Sequence, residues 1–453
     1  MTIKKSPPTD DDLDAFAAGD VREWAKFDSE VHHAWWTNQG WWSVRGDARK
    51  DLGRRPSRPV LAEAACHGNG YLREAAVKKL ARSRDPEALP LLLVRCVDWV
   101  AQVRDAARDA AVSKLDEDRL RAMLPLIGVL SRRGHDTWMT DLLRRALLTD
   151  TLLEAALSLE DRQTRRWIHD EAIRTGRLPL ARLTRIALRD NDLVIRTKCG
   201  LAVLDSGDTD AIHQVADGGT AVVRTRALTL PGADIERSLT ERTSLVRSMA
   251  QAMLLKAGGD PAAHYRALLA DSVVTHATVA GIGETGDRSD VDLLLAQLIA
   301  ERPRVRAMAV RGLRRLRPDN AREIILPLLT DPSPCVVREA VMCLRVAFSD
   351  AETQFLVTLL DPGNALHVRR GALSLLRAGD SWTRLLVDLR VLNTPADPLA
   401  ADARSDLGCW ERDATNLYSR ASREVRAEIN ALLRTMEPIE GLEVLIRFMK
   451  RRG

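Results

Sequence analysis

Four tryptophans fall within eight residues of VHHAWWTNQGWWSV, at Trp35, Trp36, Trp41 and Trp42, directly after His32 and His33. Each indole ring can bury about 150–250 Å², and tryptophan is enriched among the residues that dominate protein interfaces. The stretch therefore offers either a lid over an exposed apolar end or an aromatic patch for a partner, with TNQG as a turn between two short segments. A second group is basic. In RPRVRAMAVRGLRRLRP, a period of 3.6 residues puts Val305, Ala309, Gly312, Leu313 and Leu316 on one side of a helix. Arg304, Arg311 and Arg315 fall together on another face, with Met308 beside them. Such a face can meet phosphate or an acidic peptide, and phosphate contacts would be salt-sensitive and blind to sequence. No metal site is expected. His135-Asp136 and His169-Asp170 are about one repeat apart, but His135 follows Gly134 at a helix start and His169 follows Trp167-Ile168 within a helix, so they project differently. The six cysteines contain no C-x-x-C pair, which argues against zinc and against a disulfide framework. The sequence carries no G-x-x-x-x-G-K-[ST], G-x-S-x-G or H-E-x-x-H, so no catalytic residue and no cofactor is assigned.

The elements that must position these groups are helices. Apolar residues make up 45% of the 453 residues and charged residues 29%, while aromatics are only 4%. Ala, Leu and Arg are abundant, and all three lose little freedom in a helix. The net charge of +5 is carried more by Arg than by Lys, as a GC-rich genome also produces, and it raises the odds of an acidic partner only slightly. One pattern recurs: a turn with Asp, Pro or Gly, an apolar pair ending in Arg, then small apolar residues. It appears as NGYLREAAVKKL from Asn69, DWVAQVRDAARDA from Asp98, DNDLVIRTKCGLAVL from Asp190, GTAVVRTRALTL from Gly219, RTSLVRSMAQAMLL from Arg242, RPRVRAMAVRGL from Arg302, DPSPCVVREAVMCL from Asp331 and DPGNALHVRRGALSLL from Asp361. Its arginines are Arg73, Arg104, Arg196, Arg224, Arg247, Arg306, Arg338 and Arg369, spaced near 30 residues or multiples of that, with DSVVTHATVAGIGETGD as a degenerate copy holding Thr275 in the Arg place. Apolar segments such as DPEALPLLLVRCV and AREIILPLLT precede several copies, so the unit is two antiparallel helices joined by a short turn. A period of this size over some 300 residues marks a repeat array, in which each hairpin buries its apolar face against its neighbours.

The two-helix unit with Asp at the turn and Val-Arg or Ile-Arg ending six residues on, as in Asp98–Arg104 and Asp190–Arg196, resembles the HEAT repeat over roughly residues 57–382. The resemblance implies an all-α chain, a right-handed α-solenoid of about ten two-helix repeats with non-repeat helical caps at both ends. It also implies a ladder of Asp and Arg side chains between neighbouring repeats, to which Arg73, Asp98, Arg104, Asp190, Arg196, Arg338 and Arg369 are assigned as structural residues. A guanidinium suits that role because it can pair with turn carbonyls and a carboxylate at once. In HEAT arrays the second helix lines the concave surface, which is where the Arg304 face would lie. Among enzymes on HEAT-like repeats, the alkylpurine DNA glycosylases hold a damaged nucleotide with tryptophans and an aspartate. Trp138 and Trp167 here each have an aspartate three residues on, Asp141 and Asp170, and form the alternative nucleic-acid site. The diiron hydroxylases use His-Glu pairs, which are missing here, and nothing marks the tetrapyrrole site of the bilin lyases.

The array is expected over residues 57–384, irregular at about 115–190, between a Trp-rich cap at 1–56 and a helical cap at 385–453 that contains the loop NTPADP. The expected role is a non-catalytic scaffold for a protein or peptide partner. Nucleic-acid binding is the first alternative, and an enzyme with its site near the N-terminal cap, around His32, His33, Trp138 and His169, is the second. The start MTIKKSPPTDDD lacks the apolar core of a signal peptide and no apolar run approaches the roughly 20 residues of a membrane span, so a cytoplasmic location is expected.

Overall fold

The computed structural model describes residues 9–36, 52–53, 56–85, 87–133, 137–345, 348–413 and 420–436, and every regular element among them is a helix. The chain divides into two compact units, Met1–Val223 and Arg224–Gly453. Aspartates write the helix starts in both. Asp116, Asp161, Asp192, Asp208, Asp234, Asp260 and Asp380 each accept a bond from a first-turn backbone N–H, satisfying donors that have no intrahelical partner. Pro261, Pro303 and Pro334 open their helices at the one turn where a missing N–H costs nothing.

In the first unit, hairpins follow one another: Arg58–Cys66 with Gly70–Arg82, Ala88–Arg95 with Ala101–Lys114, Glu117–Leu130 with Trp138–Arg145, Asp150–Leu157 with Arg162–Arg174, and Leu180–Arg189 with Leu193–Leu204. The second helices pack side by side, Gly70–Arg82 on Ala101–Lys114 and Arg162–Arg174 on Leu193–Leu204. Helix Glu23–Trp36 lies across Arg58–Cys66, Ala88–Arg95 and Glu117–Leu130, with Trp24 fully buried against their core. In the second unit, Pro261–Ala270 pairs with His276–Thr285, Val291–Leu295 with Pro303–Leu316, Ala321–Ile325 with Pro334–Leu344, and Asp350–Thr358 with Leu366–Arg377. His276–Thr285 and Pro303–Leu316 approach so closely that a Cβ added to Gly283 would stand 2.5 Å from the Gly312 Cα. Helix Ser381–Leu392 runs through the boundary expected at 384/385, and it packs with Ala400–Asp413 and Arg423–Thr435 around Trp382, Trp410 and Ile429.

In several repeats the hairpins are joined at the fourth residue of the second helix. Arg73 is fully buried: its Nε and Nη2 donate to the two carboxylate oxygens of Asp98, 25 residues on, at 2.7 and 2.9 Å. Its Nη1 donates to the carbonyls of His67 and Gly68, and the Trp99 ring lies 4.2 Å from the guanidinium. Arg306 repeats the set, with Asp331 at 2.9 Å through both nitrogens and the carbonyls of Ala300 and Glu301. Arg247 does the same with Glu284 and the carbonyls of Glu241 and Arg242. Arg369 donates to Asp397 and to the Leu360 carbonyl. The acid works twice, because Asp98, Asp190, Asp331 and Asp397 each also accept the N–H two residues on and so start the next helix.

Several arginines depart from the expected ladder. Asp190 is clasped by Arg165, in the stretch expected to lack the motif, while Arg196 donates to the Ala187 carbonyl of its own hairpin. Arg104 donates to the Asp98 carbonyl behind it and lies 3.5 Å from the adjacent Asp105 carboxylate. Arg338 is exposed, because the helix Pro334–Leu344 starts one residue earlier relative to its arginine, and the buried Val337 holds the fourth position. The degenerate copy likewise has Val279 there, and Thr275 is the N-cap of His276–Thr285 rather than the counterpart of the arginines.

Two measurements test this account. Asp98→Ala leaves Arg73 and Arg95 buried without their shared acid, and should lower unfolding free energy in urea by about 3–5 kcal/mol. Asp388 is buried, faces Asp406, and keeps its proton up to about 7, chiefly through burial and then through Asp406, against the pull of Arg377. Its folded value lies above the unfolded one of about 3.9, so its contribution is full at acid pH and is lost as pH rises through that window, by about 2–4 kcal/mol. Asp388→Asn should remove that loss, so the stability difference between variant and parent should grow from pH 4 to 8 in urea titrations; a difference independent of pH would refute it.

Candidate functional site

The clasp dictates what faces outward. Residues two apart on a helix point about 200° apart, so with the fourth residue turned inward the second is turned to solvent. Along the second helices those outward places are apolar more often than a solvated edge needs. Tyr71 (73% exposed), Val194, Val222 and Leu245 are second residues, and Leu193 (64% exposed) and Leu366 are first residues. Each stands at the start of a helix whose fourth residue is the buried or part-buried Arg73, Arg196, Arg224, Arg247 or Arg369.

In the second unit the row changes from apolar to cationic around a cavity of about 770 Å³. The cavity lies among the starts of Ser244–Lys256, His276–Thr285, Pro303–Leu316 and Pro334–Leu344. Its floor includes the buried Ala277 and Val305, with the half-exposed Val273 at one side. Its rim carries Arg242, Arg302 and Arg304, all exposed. A smaller cavity of about 160 Å³ shares His276, Arg304 and Cys335 with it and adds Arg338 and Glu339. None of Arg242, Arg302, Arg304 and Arg338 forms a side-chain ion pair with a described residue, whereas most arginines of the clasps and hairpins do. Burial, then Arg242, Arg304 and Arg247, push the His276 imidazole below its ordinary value. First-turn N–H groups add partial positive charge at the same end. The arrangement can hold a carboxylate or phosphate at the rim and an apolar side chain on the floor.

The other residues singled out from sequence are distributed differently. Arg311, two turns along the helix from Arg304, pairs with the buried Glu339 at 3.5 Å, and Arg315 is exposed further on. Trp138 and Trp167 are half-buried against the core, with Arg108 and Arg144 over their rings at 5.4 and 5.8 Å. Asp141 is bound to Arg144, which also holds Glu171, and Asp170 is bound to Lys198. His169 is buried and its Nδ1 lies 2.8 Å from the Arg165 carbonyl, and His32 lies beside Asp28 and the Trp99 ring. Trp35 and Trp36 close helix Glu23–Trp36; their side chains, the whole of Trp41 and Trp42, and His135-Asp136 lie outside the described residues. Among the described residues no group of three or more His, Cys, Asp or Glu is placed to hold a metal, and no helix is long and apolar enough to cross a membrane. Sequence reading missed Arg242 and Arg302, although each sits at the turn of a copy of the motif that it did find.

Residues 291–377 match the family model for HEAT repeats. No curated protein matches the chain. Among solved structures, the chain is similar to Kap121p bound to Pho4p, at 14% identity and a TM-score of 0.28, with 96% of this chain and 50% of that one covered. It is also similar to the karyopherin Kap121p bound to the extreme C-terminus of the protein phosphatase Cdc14p, at 14% identity and a TM-score of 0.28, with 97% and 50% covered. The chain thus spans half the length of those two. The matched span contains three hairpins, ending in Pro303–Leu316, Pro334–Leu344 and Leu366–Arg377, together with the Arg306–Asp331 clasp. Those three hairpins are the part of the chain that matches the HEAT-repeat model.

Proposed function

We propose that the protein is a non-catalytic scaffold that binds a protein or peptide partner on the face built by its second helices, the concave one in stacked arrays of this kind. The observation that carries the reading is the recurrence of exposed apolar residues at the first or second place of second helices: Tyr71, Leu193, Val194 and Val222 in the first unit, Leu245 and Leu366 in the second. Scattered surface apolar residues need no explanation, but recurrence at the same end of several helices within a unit offers a partner an apolar edge. An extended partner can follow such an edge, adding a little apolar burial at each repeat. The clasps hold the spacing between helices, so the edge is set before a partner arrives.

The test uses a partner captured by the parent chain and identified by mass spectrometry. Leu193→Asp combined with Leu245→Asp should leave thermal unfolding within about 0.5 kcal/mol of the parent, since both side chains are exposed. The same pair should weaken that partner's binding by roughly tenfold or more in a titration, because each change puts a desolvated charge into the interface. Undiminished binding would sink the edge as the docking surface. Retention of single-stranded or duplex DNA at about 50 mM salt, lost at about 200 mM, would favour nucleic-acid binding instead.

A further inference from the structure

We infer that the cavity between Thr240 and Cys335 takes an acidic peptide segment, its carboxylates held by Arg242, Arg302, Arg304 and Arg338 and its apolar side chains seated on Val273 and Pro303. The inference rests on the scaffold reading and adds a ligand class to it.

Three observations converge on that class. The first is unbalanced charge. Four guanidinium groups surround two adjoining cavities, and none is neutralised by a described carboxylate, in a unit where Arg224, Arg247, Arg266, Arg306, Arg322 and Arg369 all are. Like charges held together raise the energy of the empty site, and an incoming anion relieves it. The second is the floor. Val273 and Pro303 line the cavity and are exposed, with the buried Ala277 and Val305 behind them, so the cavity provides apolar surface beside its cations. A peptide alternating Glu or Asp with apolar residues satisfies both layers at once. The third is what would oppose nucleic acid. No Trp, Tyr or Phe lines the cavity to stack a base, and the Glu339 carboxylate lies in the adjoining cavity.

His276 is the reporter of occupancy. It faces Arg242 and Arg247 from the preceding repeat, Arg304 from the following one and Cys335 from the next, while Glu284 is already engaged by Arg247. A carboxylate entering among those cations favours the imidazolium and raises the His276 titration midpoint, and by reciprocity the peptide binds more tightly as the imidazole takes its proton.

The experiment titrates the full chain with a fluorescein-labelled synthetic peptide rich in Glu and Leu and reads anisotropy. A matching Lys-Leu peptide and a single-stranded oligonucleotide serve as comparison probes. The parent should bind the acidic peptide and not the basic one. Arg242→Glu with Arg304→Glu should weaken binding by about a hundredfold, roughly tenfold for each charge reversed, with unchanged circular dichroism and melting. Arg315→Glu, exposed but away from the cavity, should change it by less than about twofold. The peptide should also raise the NMR titration midpoint of His276 and slow alkylation of Cys335. Equal affinity in the parent and the double variant, or a His276 midpoint indifferent to the peptide, would overturn the assignment. An oligonucleotide that binds where the peptide does not, and is lost in the same variant, would replace the acidic peptide by nucleic acid. If the peptide fails while Leu193→Asp with Leu245→Asp still releases the captured partner, this inference falls and the scaffold reading stands.

Discussion

A buried guanidinium clasping the acid of the next turn is the contact on which the rest of the molecule depends. Removing an arginine from water is costly, and the loss is offset only when the planar group finds nearly all its hydrogen bonds in one place. Arg73, Arg247 and Arg306 do so identically, with two bonds to a carboxylate and two to the carbonyls that end the preceding helix. The acid can satisfy this geometry only if the next hairpin arrives at one height and one angle. A non-directional apolar core would tolerate sliding between hairpins, whereas the clasp does not. In the first unit the network extends further, since Arg95 joins Asp98 to Asp28, and Asp28 also receives Arg133. Helix Glu23–Trp36 is thereby tied to the first hairpins by charge as well as by Trp24.

Much of this was legible before any coordinates. The period and the two-helix unit follow from residue order, the resemblance to HEAT repeats implies the Asp and Arg ladder, and Arg73, Asp98, Asp190 and Arg369 sit in clasps. What was not legible is instructive. Arg165 is preceded by Thr rather than Val and lies in the run RQTRR, where three arginines compete for one register and only helix phase decides. Asp397 belongs to NTPADP, whose composition marks a loop but not that its carboxylate is buried against Arg369. Glu284 replaces a turn aspartate from the far end of a helix, 37 residues beyond Arg247, a separation no repeat ruler suggests. The tryptophan cluster drew the eye by composition, yet the indole described as fully buried beneath the cap is Trp24, a single residue in a helix.

The cavity was the least legible feature, because its residues share a place in space and not in sequence. Arg242, His276, Arg304 and Arg338 come from four successive helix starts. A helical-wheel reading grouped Arg304 with Arg311 and Arg315, which is right for a single helix and wrong for the array. Neighbouring helices lie about 8–10 Å apart, so equivalent residues on adjacent repeats are closer than residues two turns apart on one helix.

Two of the four helices that start around the cavity lack the clasp arginine at their fourth place, which ties its chemistry to the scaffold. At the fourth position of His276–Thr285 and of Pro334–Leu344 the chain has Val279 and Val337, both buried, with Arg306 between them. Where valine fills the slot, the junction is held by packing, and the close approach at Gly283 and Gly312 shows how tightly. In the helix that begins at Pro334 the arginine follows that valine by one residue. A single-residue offset rotates a side chain by about 100°, enough to carry it out of the ladder and onto the surface. Loss of a staple and gain of a cation at the rim are thus one change in register. An arginine in the ladder is neutralised by its neighbour; one displaced from it beside Arg304 is not, and only an anion from outside the fold can complete it.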